Sequence, residues 1–171
     1  MKFKSNPAVG GGGGSYLSLK DGESVKAILR GDPFEFSIKW ENGKSSVVSD
    51  GTQGASFRFK INAIVREAPS AYIAKIWEQG VTTYLQLKAL AVDYDLEKTV
   101  LKITRAGTGK ESSYSVVPMP NGLDAETTNA VLNVKLHDLT KTKVTTPFDK
   151  EAVFSESPLF DEEPNLDKPP F

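Results

Sequence analysis

The chain has 171 residues, 39% hydrophobic and 25% charged, which suits one ordinary globular domain with tails and excludes a fibrous protein or a chain disordered throughout. It has no cysteine and a single histidine, His137, so disulfides, thiolate metal ligands, a cysteine nucleophile and the usual zinc clusters are excluded. Of the 21 Lys/Arg and 22 Asp/Glu, one Lys and six acids fall in residues 151–171, leaving 20 bases against 16 acids in residues 1–150: a mildly basic body carries an acidic tail.

Residues 1–15 read as a flexible Gly-rich arm, since the five glycines from Gly10 to Gly14 have much backbone freedom and no side chain to pack. From Tyr16 onward short alternating segments between turn residues predict a mainly β domain over residues 16–146. Residues 24–30 place Val25, Ala27 and Leu29 on one face and Lys26, Ile28 and Arg30 on the other. Gly31-Asp32-Pro33 predicts a strand break. Residues 34–40 alternate again, with Phe34, Phe36, Ile38 and Trp40 opposed to Glu35, Ser37 and Lys39, and Asn42-Gly43 predicts a tight hairpin. Over residues 56–65, Phe57, Phe59, Ile61, Ala63 and Val65 form the core face, with Arg58, Lys60 and Asn62 opposite.

Tyr72, Ile73, Ile76 and Trp77 recur at helical spacing, predicting a helix over residues 71–79 that stops at Gly80. Residues 82–92, 99–105 and 112–117 then read as strands, and residues 124–139 as a second helix with Ala130, Val131, Val134 and His137 on its apolar side. Half of the ten prolines gather with the acids in residues 147–171, an acidic, Pro-rich disordered tail ending in Phe171. The whole pattern matches a Greek-key β-barrel of the OB (oligonucleotide/oligosaccharide-binding) type with one or two short helices. No apolar run reaches the ~18 residues of a membrane helix and no secretory leader is visible, so a cytoplasmic protein without membrane association is expected.

Gly107-Thr108-Gly109-Lys110 is not a phosphate-binding loop, because Thr104 and Glu111 stand where that motif needs a glycine and a hydroxyl residue. Asp93 and Asp95 read as turn residues, and His137 has no marked partner for ligation or proton transfer. No catalytic residue, metal site or cofactor is expected.

The interleaving of aromatic and basic residues is more informative, since single-stranded nucleic acid is held by cations along its phosphates and rings against its bases. Candidate contacts are Lys26, Arg30, Lys39, Trp40, Arg58, Lys60, Arg105, Lys110 and Tyr114. Arg58 and Lys60 fit phosphate contact and a solvated surface equally well, and Trp40 fits either a barrel plug or a stacking platform. Phe57, Phe59 and Trp77 fit a core. Arg105 and Lys110 bracket a glycine-rich loop with little side-chain bulk. In the tail, Asp161, Glu162, Glu163 and Asp167 lead to a terminal Phe171, a compact hook for a partner's basic pocket.

Three stretches carry a family resemblance: YLSLKDGESVK at residues 16–26, Trp40 in its strand, and ITRAGTG at residues 103–109 running on to Tyr114 and Pro118. The chain resembles the phage-encoded single-stranded DNA-binding proteins of the OB-fold type. The resemblance implies a protein of the bacterial host cytoplasm that coats single-stranded DNA in replication, recombination and repair, without sequence preference, and recruits replication or recombination enzymes through its tail. Similar proteins carry Cys/His pairs after the Trp; residues 45–54 have no cysteine, so zinc is not carried over. The alternative reading is a phage recombination mediator or protein-protein adaptor on the same barrel. The oligomeric state, a homodimer included, is left open.

Overall fold

The computed structural model describes residues 15–141. The arm before Ser15 and the tail beginning at Pro147 lie outside the described residues. Six antiparallel strands, β1 (Ser24–Glu41), β2 (Lys44–Val48), β3 (Ser56–Ala68), β4 (Ala71–Gly80), β5 (Leu101–Ala106) and β6 (Ser113–Pro118), are joined by helix α1 (Val81–Asp93) between β4 and β5 and followed by α2 (Ala125–Leu132). The sheet order is β4-β3-β1-β5-β6, with β2 paired to β1 as a hairpin extension.

The Gly31-Asp32-Pro33 break is absent: β1 continues through it as a bulge. Arg30 pairs with Asn62 and Phe34 with Lys60, so four steps on β1 match two on β3. Gly31 supplies a positive φ of 77° at the bulge. Because the two extra residues are an even number, the faces are preserved across it. Odd-numbered residues of β1 and β3 therefore stay on the inner face: Val25, Ala27 and Leu29 join Phe59, Ile61, Ala63, Val65, Trp77, Leu101 and Ile103 in one core. Phe59 and Trp77 are fully buried and meet edge to face at 6.4 Å.

Two elements exchange their expected types. Residues 71–80 are a strand, in hairpin with β3 across Pro69-Ser70, and residues 81–93 are a helix. β4 packs Ile73 and Trp77 into the main core, while Tyr72 and Ala74 pack into a second cluster on the outer face. A strand covered on both faces loses its polar alternation, and the remaining apolar run imitates helical spacing. In α1, Tyr84, Leu87 and Leu90 face the core at helical spacing, within a segment rich in Leu, Ala, Lys and Gln that favours helix. Gly80, expected to stop a helix, instead begins one as its N-cap.

The second cluster joins Ile28, Ile64 and Val131 with Tyr72, Val100, Leu123, Val134 and Leu136, and folds the chain after β6 over the outer face. α2 is shorter than expected, ending at Leu132, and the following segment is held by Asn62. That side chain donates to the His137 carbonyl (3.1 Å) and accepts from the His137 N–H (2.9 Å), imitating a strand neighbour.

The expected barrel does not close by strand pairing. The free edge of β6 is capped instead by Gln86 of α1, whose amide donates to the Tyr114 carbonyl (2.8 Å) and accepts from the Val116 N–H (3.2 Å). On the free edge of β4, Ile76 donates to the Ser15 carbonyl and accepts from the Leu17 N–H. Leu17 and Leu19 then enter the main core between these edges. Among the described residues no helix is long and apolar enough to cross a membrane.

Candidate nucleic-acid interface

The register of β1 on β3 determines which expected residues meet. Phe34 lies opposite Lys60 and Phe36 opposite Arg58, so aromatic rings and cations share the outer face. Phe34 and Phe36 stack at 5.9 Å with planes 28° apart. Trp40 continues the same face into the β1-β2 hairpin, opposite Ser45, and is 40% exposed. Beside it Lys39 is ion-paired with Glu41 at 2.7 Å.

The two cations of β3 are enclosed. Arg58 donates to Glu78 of β4 at 3.1 Å, the Glu78 side chain being only 4% exposed. Lys60 is wholly buried, with its Nζ 5.4 Å from the centre of the Phe36 ring and 5.9 Å from that of Tyr16. Burial holds its ammonium below the usual amine range, and the nearby Glu78 carboxylate opposes that effect.

A second group gathers at the seam between β4 and β6. Tyr114 rests edge-on against Trp77 (5.9 Å), with the Arg105 and Gln79 side chains near its phenol. Burial raises its phenol, against the opposing influence of Arg105, Gln79 and Arg58. Arg105 donates to the Leu19 carbonyl at 2.7 Å and so ties the entering chain to β5. Arg30 does the same for α2, donating to the Val131 carbonyl at 2.9 Å.

Lys26 and Lys110 stand apart from both groups and are exposed. Lys26 faces Lys102 across β1 and β5, a like-charged pair. Lys110 sits in the 3-10 turn Gly109–Glu111 of the β5-β6 loop. The tail positions Asp161, Glu162, Glu163, Asp167 and Phe171 lie outside the described residues. The single strong signal missed in the sequence is the ring column: Phe34, Phe36 and Trp40 alternate visibly, but their alignment with Arg58 and Lys60 requires the bulge register, and Tyr16 joins only through the chain crossing β4.

The remaining polar motifs have structural partners. Asp95 accepts from the Glu97 N–H and pairs with Lys98, which holds its carboxyl below the usual range. The His137 ring nitrogen lies 3.0 Å from the Ala74 carbonyl. Asp50, in the loop after β2, accepts from the Ser37 hydroxyl at 2.9 Å. Among the described residues no group of three or more His, Asp or Glu side chains could hold a metal ion. No family model matches the chain, and neither a curated protein nor a solved structure matches it.

Proposed function

We propose that this chain coats single-stranded DNA without sequence preference, on a barrel of the OB type, and catalyses no reaction. The observation that carries the reading is the pairing of Phe34 with Lys60 and Phe36 with Arg58 on one face, with exposed Trp40 continuing the column. Rings for bases beside cations for phosphates are what a sequence-tolerant single-strand groove requires. The OB assignment is supported by five strands in the order β4-β3-β1-β5-β6 with a helix between β4 and β5. On that assignment the β1-β3 connection, with Trp40 at its base, and the β5-β6 loop, with Lys110, are the two loops that flank an OB ligand face.

In this reading the protein belongs with the phage single-stranded DNA-binding proteins it resembles, acts in the host cytoplasm, and recruits replication or recombination enzymes through Phe171 and the acids before it. A second reading, a recombination mediator or adaptor without a DNA groove, is favoured by the burial of Lys60 and the Arg58–Glu78 pair. Fluorescence anisotropy with a labelled oligo(dT) and a duplex of equal length, each at two salt concentrations, separates the two. The DNA-binding reading expects preference for the single strand and an affinity that falls with salt, with a logarithmic slope of about 0.7 per phosphate neutralised. Binding to neither, or tighter binding to duplex, would falsify it.

A further inference from the structure

At the end of the sheet remote from Trp40, cations gather on the outer face without acids to balance them. Lys26 and Lys102 stand directly opposite each other on β1 and β5, and both are exposed. One step beyond the last paired residues of β1 and β3, Ala27 and Val65, the same register brings exposed Arg66 level with Lys26. Arg66 donates to the Ala68 and Pro69 carbonyls, neutral acceptors that leave its charge uncompensated. Among the described residues none of the three cations has a carboxylate within ion-pair reach.

Like charges set opposite each other destabilise a sheet, and a bound anion removes that repulsion. The neighbouring row on the same face is Ser24, Thr104 and Ser115, three hydroxyls in register across β1, β5 and β6. Neither β5 nor β6 contains an acid. Tyr72, the ring nearest the row, is packed into the second cluster. Cations and hydroxyls without an exposed ring suit phosphate oxygens and offer nothing for bases to stack on. The row also shares its face of β1 with Phe34 and Trp40, since the bulge preserves the faces. From Lys60, opposite Phe34, to Arg66 is six residues of β3, about 20 Å, and between them Ile28 is covered by Val131 of α2.

We propose that Arg66, Lys26 and Lys102 form a second, ring-free contact for the phosphodiester backbone of the bound single strand: its bases stack on the column of Phe34 and Trp40, and the same strand continues past α2 to lay its phosphates on the cation row and the hydroxyls beside it. This rests on the single-strand reading above.

The test uses the full-length protein and an oligo(dT) of about 16 nucleotides, the upper end of the range for one OB domain. Affinity is measured by anisotropy across a range of salt, with one strand bound per chain. Lys26→Gln and Lys102→Gln each flatten the logarithmic salt slope by about 0.7, and together by about 1.4. Lys88→Gln, which removes the same charge from the exposed side of α1, keeps the wild-type slope. A wild-type slope in the folded double variant, an equal flattening by Lys88→Gln, or a flattening seen only when a second oligonucleotide binds overturns the continuation and leaves the single-strand reading standing. Failure of the wild-type chain to bind oligo(dT) overturns both.

Discussion

Substituting Gly107 with alanine separates a structural role for the β5-β6 loop from a role in contacting DNA. Gly107 has φ 87°, and a Cβ there would lie 2.6 Å from the Glu111 carbonyl oxygen and 3.2 Å from its carbon, both backbone atoms that cannot swing aside. Its N–H also donates to Asp21 at 2.8 Å, tying the loop to the chain that enters β1. Gly109, two residues on, has φ 56° and open space around its would-be Cβ. The left-handed conformation costs each alanine variant roughly 1–2 kcal/mol. Only Gly107→Ala must also push backbone apart, adding roughly 1–3 kcal/mol on the scale of overpacked interiors. At about 3–4 °C per kcal/mol for a domain of this size, Gly107→Ala should lower Tm by roughly 10 °C and Gly109→Ala by roughly 5 °C. Thermal melts followed by circular dichroism measure both. Oligo(dT) affinity measured well below either melt should change little for Gly107→Ala. Equal losses of Tm would refute the close approach to Glu111, and a large loss of affinity in a well-folded Gly107→Ala protein would show that the loop's backbone conformation, beyond its flanking position, contributes to the DNA interface.

Three further outcomes follow from the same geometry. Trp77 is fully buried and Trp40 is 40% exposed, so a change of tryptophan emission on oligo(dT) binding should vanish in Trp40→Phe; Trp40→Ala should weaken binding by the roughly 1–3 kcal/mol of one stacked base. Asn62→Ala leaves the His137 N–H and carbonyl without their side-chain partner and should cost about 2–4 kcal/mol in urea melts, with faster amide exchange at His137; a neutral result would mean that water replaces the amide freely. Lys60 has a lowered pKa in the fold, so between that value and the unfolded 10.5 the unfolded chain binds more protons and stability rises with pH. The buried phenol of Tyr114, raised in the fold, acts in the opposite sense above its unfolded value of 10.0. The difference between wild type and Lys60→Met therefore isolates the lysine, and parallel stability-pH curves would show that its ammonium is not desolvated.

Local alternation was enough to identify the β-rich class, the inner faces of β1 and β3, and a core containing Phe59, because a strand's two faces repeat every second residue whatever it packs against; Trp77 was placed in the core by its spacing with Ile73, although on the wrong element. Periodicity misled at two segments, helical spacing at residues 71–79 and strand alternation at 82–92. β4 is covered on both faces, so its polar rhythm is lost, while α1 supplies helix formers whose short-range alternation resembles a strand. Strand polarity is a record of solvent, and where tertiary packing removes solvent from both sides the record is blank.

The roles of the basic residues were decided only in three dimensions. Arg30, Lys60 and Arg105 look alike in sequence, as cations beside apolar residues. Arg30 reaches the Val131 carbonyl 101 residues later, and Arg105 reaches back 86 residues to the Leu19 carbonyl. Lys60 is enclosed by Phe36, 24 positions before it, and by Tyr16, 44 positions before it. Whether a cation is exposed or holds the chain together depends on which distant segment crosses it. Sequence alone determined that cations and rings alternate along these strands; the bulge register and the crossing of residues 15–17 over β4 decided which of them meet, because pairing across a sheet is fixed by contacts between residues far apart in the chain.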